Sequence, residues 1–139
     1  MMDGVHVLKT WPEPFEAVAK GINRFEVRKD DRGFAVGDRL ALREWIPREP
    51  PAVRGKRPEA VEWIGEYTGR VIMARVTYLL RGPAFGLPAE MVVMSLDVYS
   101  CVDLGMFEGA WESFFETYVK TRKSIVAGSP VKLPCKVQG

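Results

Sequence analysis

At 139 residues the chain fits one domain with a real core, and 47% hydrophobic with 27% charged residues excludes disorder throughout. A formal net charge of +2 is too small to mark a nucleic-acid binder by itself, so any basic patch must come from uneven distribution. One histidine and two distant cysteines, Cys101 and Cys135, exclude a zinc-type ligand set, and no cofactor is expected.

Met1–Thr10 carries charges and lacks an apolar leader segment, and no uncharged run approaches the roughly 18 residues of a membrane span. The expectation is a soluble chain in a reducing cytoplasmic setting, with no membrane partner. Val5–Leu8 alternates as a first strand, Val5 and Val7 on one face, His6 and Leu8 on the other. Thr10-Trp-Pro-Glu13 fits a capping box, with Pro12 and Pro14 in a first turn that tolerates a missing N–H. Phe15, Val18 and Ala19 supply an apolar stripe, and Gly21 can take the left-handed position that ends a helix over about Pro12–Lys20.

A short strand over Arg24–Lys29 follows, and its alternation separates Phe25 and Val27 from Arg24, Glu26 and Arg28. The apolar pair is expected to face a core. The charged trio then forms either a solvated face or a polar ligand site, with Glu26 accepting between two guanidinium donors. Asp31-Arg32-Gly33 and Gly37-Asp38 are turns, and Arg39–Trp45 is a second strand. From Ile46 to Pro58, four prolines with Arg48, Arg54, Lys56 and Arg57 predict a long loop, either a tolerated insertion or a binding element. Pro58–Ile64 is expected to form a short helix and Tyr67-Thr68-Gly69 a turn. Arg70–Leu80 is the longest strand candidate, with apolar groups on both faces, and Met91–Val98 is another, with Val92, Met94 and Leu96 inward. Phe107, Trp111, Phe114, Phe115 and Tyr118 mark an amphipathic helix that either covers the barrel or makes a weak homodimer contact. Ser124–Gly139, broken by Pro and Gly, is expected to drape over the surface.

Catalytic signatures are scarce. There is no Gly-x-Ser-x-Gly elbow, no Gly-rich phosphate loop and no paired-carboxylate motif, and Cys101 reads as a structural thiol. His6 reads as a hydrogen-bonded structural side chain.

The run Gly21-Ile-Asn23-Arg-Phe-Glu26-Val-Arg28, followed by Phe34-Ala-Val-Gly37-Asp38, resembles the signature of ASCH-type domains in the PUA-like superfamily. His6-Val-Leu8-Lys9, Trp11-Pro12, Phe15-Glu16-Ala17-Val18 and Tyr67-Thr68-Gly69-Arg70 resemble a small bacterial and phage branch of it, over about residues 5–97. Members bind RNA or modified bases, and a few are hydrolases. In the hydrolases that act on acylated cytidine, a Lys and a Thr fall at positions occupied here by Asn23 and Glu26, so the activated nucleophile is missing. The resemblance puts a cleft between the first helix and the following strands, with Lys9, Trp11, Asn23, Glu26 and Arg28 around it. That set suits a base or nucleotide. Trp11 offers a stacking face, Glu26 can accept from an exocyclic amine, and Asn23 can donate and accept. Arg28, Lys29 and Arg32 can meet phosphate, assisted by Arg54, Lys56 and Arg57 of the loop. For Trp11 the plainer reading is a core residue packed on the helix start, and for Glu26 and Arg28 an ion pair.

The expected fold is therefore α+β: a small PUA-like, ASCH-type curved antiparallel β-barrel of five or six strands, with an N-terminal helix and a C-terminal amphipathic helix. Residues 1–100 form the domain, with 46–66 as an inserted basic Pro-rich loop, and 101–139 pack on it as helix and tail. The expected function is non-catalytic recognition of RNA, a nucleotide or a modified base. The alternatives are a nucleoside amidohydrolase or nuclease of altered site, using Glu26 with Lys20 or Lys29, and a protein-interaction module.

Overall fold

A computed structural model describes residues 4–48 and 64–119. Strands β1 (Val5–Thr10), β2 (Phe25–Lys29), β3 (Arg39–Arg48), β4 (Ile64–Arg81) and β5 (Met91–Asp103) form one sheet in the order β1-β3-β4-β5-β2. Helix α1 (Pro12–Ala19) connects β1 to β2, and α2 (Ala110–Phe114) runs into a wider π-type turn, Phe115–Val119. The architecture is thus mixed α+β. β1 lies parallel to β3, while β2–β5, β3–β4 and β4–β5 are antiparallel. Among the described residues no helix is long and apolar enough to cross a membrane.

β1 and β2 are the two edges of the sheet, and the main-chain ladder stops short of a barrel. Side chains bridge the gap. Arg28 Nη2 donates to Lys9 O at 2.7 Å and Arg32 Nη1 to Val7 O at 2.6 Å, so β2 and the turn after it reach the free edge of β1.

Both faces of the sheet are buried. On the inner face Leu8, Leu40, Leu42, Ile72, Ala74, Val76, Val92, Met94 and Leu96 close around Phe15 and Val18 of α1 and around Phe34. Val92, Met94 and Leu96 point inward as their spacing predicts. On the outer face Ala41, Val71, Met73 and Val102 meet Phe114 and Val119, with Trp111, Phe115 and Tyr118 alongside. The C-terminal aromatic stripe therefore covers this chain's own sheet, as the helix spacing allows, although Phe107 is 69% exposed and takes no part.

Several expectations are corrected. The N-cap of α1 is Trp11, which makes no side-chain cap bond, so Thr10 and Glu13 form no capping box. The other end of α1 behaves as read: Gly21 has φ +75°, its N–H donates to Val18 O, and that of Ile22 to Ala17 O, which completes a Schellman motif. Ile46, Pro47 and Arg48 are not loop but the end of β3, opposite Glu66, Gly65 and Ile64. The inserted loop is accordingly narrower than 46–66, and its center, with the expected helix from Pro58, lies outside the described residues. Tyr67, Thr68 and Gly69 are no turn either; they belong to β4, where Gly69 at φ +95° and a register shift opposite Arg43 and Trp45 bend the strand without ending it. β5 runs on past Val98 to Asp103, so residues 101–103 belong to the sheet. Cys101 is disulfide-bonded and is not the structural thiol expected. Of the C-terminal tail, 120–139 lie outside the described residues.

Candidate functional site

The largest correction concerns β2. Phe25 and Val27 are 47% and 42% exposed, whereas the Glu26 side chain is only 13% exposed. Register explains the inversion. Glu26 lies opposite Met94 and Arg28 opposite Val92, both core residues, and directly opposed residues share a face. Alternation was legible, but Glu26 and Arg28, not the apolar pair, face inward, while Arg24 precedes β2 and is exposed.

The result is a hollow of about 300 Å³ between β1, the start of α1 and β2, lined by Lys9, Thr10, Trp11, Pro14, Glu26, Val27, Arg28, Lys29 and Met91. Five of the residues expected at a site, Lys9, Trp11, Glu26, Arg28 and Lys29, meet there. Trp11 sits at the helix start with 46% of its surface exposed, so it is not a buried core residue. Arg28 Nε donates to Glu26 Oε1 at 3.0 Å while its Nη2 holds Lys9 O. The pair is a fixed strut that orients the carboxyl. Burial pushes the Glu26 carboxyl above its ordinary range, and the opposing pull of the Arg28 charge and hydrogen bond does not cancel that effect. Lys9 places its ammonium over the Trp45 ring, 4.1 Å from the centroid, which leaves its main chain and stem to the hollow.

The other expected site residues stand apart. Asn23 spends its Oδ1 on Phe25 N–H at 3.0 Å in a local turn and does not line the hollow. Arg32 reaches the edge of β1 next to it. Arg54, Lys56 and Arg57 lie outside the described residues. His6 is structural as read: its Nε2 is 2.8 Å from Asp38 Oδ2, and its ring lies 4.6 Å from that of Phe34. Asp38 also receives the Gly4 and Ala35 N–H groups, which fixes the Gly37-Asp38 turn.

Sequence reasoning missed a polar group under α1. Arg70 Nη1 donates to Glu16 Oε1 at 2.6 Å and lies 3.4 Å from both Glu44 oxygens, and the Thr68 hydroxyl donates to Glu44 Oε1 at 2.8 Å. The Arg70 guanidinium carbon is 4.8 Å from the Phe15 ring centroid. Thr10, opposite Glu44 in the β1–β3 register, has a buried hydroxyl and also lines the hollow. The signal was present: Thr10 continues the inward alternation of Leu8, and Glu44 that of Leu40 and Leu42. A polar residue that continues a buried stripe has to find a buried partner.

A second hollow, about 260 Å³, lies on the outer face. There the Arg43 guanidinium is held between Tyr67 and Trp111, 3.7 and 4.2 Å from their centroids. Burial there lowers the Arg43 pKa. The cation is already enclosed by the chain's own rings, which is an anchoring arrangement for α2.

A family profile described as "Domain of unknown function (DUF3850)" matches residues 5–96, from β1 through most of β5. The chain belongs to this DUF3850 family. A curated relative, the "Uncharacterized 12.9 kDa protein in GpA 3'region" of Escherichia phage P2, is 34% identical over 77 residues, 55% of each chain. The chain thus spans about half the length of the curated relative it matches. The DUF3850 match takes in the whole inner hollow and the Arg70 group, and ends before the C-terminal helix.

Proposed function

We propose that this DUF3850 domain recognizes RNA, or a nucleotide or modified base, in the hollow beside α1, without a chemical step. In this reading the curved sheet is PUA-like and ASCH-type, and the arginine-bridged gap between β1 and β2 is the mouth of its cleft. One observation carries the reading. An exposed tryptophan at the start of α1 and, from β2, a largely buried carboxyl fixed by an arginine and a rim lysine converge on one concavity. A base stacked on Trp11 would meet Glu26 with its polar edge, and its phosphate would lie outward, toward Lys29.

Fluorescence titration with mononucleotides and a short labeled single-stranded RNA at low salt tests this. Wild type should bind, and Trp11→Ala should weaken binding about tenfold or more, as expected for loss of one stacking partner. Glu26→Gln should weaken it as well while the protein stays folded. If neither probe binds at millimolar nucleotide or high-micromolar RNA, the reading is overturned.

A further inference from the structure

The hydrogen bonding around Glu26 limits which base fits. Arg28 donates through Nε to Glu26 Oε1 and through Nη2 to Lys9 O, so it holds the carboxyl in place. Glu26 Oε2 takes no hydrogen bond among the described residues, and it belongs to a side chain that lines the hollow. Trp11, Pro14, Val27 and Met91 give the hollow apolar and aromatic wall beside its charged and polar groups. The hollow's volume is at the lower end of small-molecule sites, which suits one base.

An ionized carboxylate only accepts hydrogen bonds, so the matching edge must carry donors and no acceptor facing it. Among the common bases, guanine alone presents two adjacent donors, N1–H and the N2 amine. Adenine and cytosine place a ring acceptor beside their amine, and uracil has its N–H between two carbonyls. Each of those would set a lone pair against a poorly solvated negative charge.

We propose that the hollow selects guanine, with N1–H and the N2 amine donating to the Glu26 carboxylate and the ring stacked on Trp11. This rests on the nucleotide-recognition reading above. The ligand is a free guanine nucleotide or an unpaired guanine in a single strand, since pairing would occupy the edge that Glu26 needs.

Competition with GMP, IMP, AMP, CMP and UMP tests it on the full chain, wild type and Glu26→Gln. GMP should bind wild type about tenfold or more tighter than the other four. IMP, which differs from GMP only in lacking the N2 amine, should fall with the weak group. Glu26→Gln replaces one acceptor with a donor and should erase the preference. Equal binding of all five, a GMP preference that survives Glu26→Gln, or IMP matching GMP would overturn the assignment of guanine while leaving nucleotide recognition standing. Binding of none would overturn both.

Discussion

Glu26 couples stability to the proposed site. Its carboxyl is buried and titrates above the ordinary range, so the folded chain holds that proton more tightly than the unfolded chain. The stability this contributes is complete below the unfolded pKa and is lost as pH rises through the folded one. Once ionized, the group is thus a burden on the fold. Glu26→Gln should therefore unfold at higher urea than wild type at pH 7, with the gain shrinking toward zero as both are acidified past the ordinary glutamate range. A less stable variant at pH 7 would mean that the Arg28 pairing outweighs desolvation. Arg70 is the opposite case: it is 8% exposed at the side chain and serves Glu16 and Glu44 together, so Arg70→Met leaves buried carboxyls without their cation. Urea unfolding should show a loss of about 3–5 kcal/mol, the cost of breaking a buried pair from one side.

Gly69 shows how one residue shapes an element. It lies at φ +95° inside β4, and a Cβ there would collide with the main chain of Gly105. Leu104 N–H donates to Gly69 O at 2.8 Å across the same contact. Gly69→Ala adds the cost of a left-handed backbone to that collision, at least about 2 kcal/mol by thermal or urea unfolding. Because Tyr67 and Gly69 also line the Arg43 hollow, the variant should loosen the docking of α2 and quicken amide exchange there. At the C-terminal element, Phe114 is 5% exposed in the outer cluster, and Phe114→Ala should cost about 3–5 kcal/mol. Short-range spacing explains why α1 was readable although its capping box was not formed: Phe15, Val18 and the Gly21 stop act within one helical turn or two of each other. β4 was only partly readable, because its bulge at Gly69 carries the same residue types as a turn.

On the scale of the whole molecule, the feature that matters is the meeting of two sheet edges that never pair. Arg28 and Arg32 span them, and the hollow is what remains of the gap beside α1. A net charge of +2 makes long-range attraction weak, so salt dependence should report local phosphate contacts only. If Lys29 and one further cation each meet a phosphate of single-stranded RNA, affinity should fall about sevenfold between 50 and 200 mM salt, from a slope of about −0.7 per contact. A titration series across that range measures it, and an affinity indifferent to salt would remove the phosphate contacts from the proposal.

Local rules in the sequence determined the α+β class, the α1 helix with its glycine stop, the inward set on β5 and the alternation along β2. All of these depend on neighbors a few residues apart. Tertiary structure alone decided which face of β2 is the inner one. Alternation assigns two faces but not their destinations, and the curl that brings β2 toward β1 turned Glu26 and Arg28 inward and left Phe25 and Val27 outside. The same long-range closure gathered Arg70 from β4 and Glu44 from β3 under Glu16 of α1. Such partnerships join residues far apart in the chain, and no window along the sequence contains them.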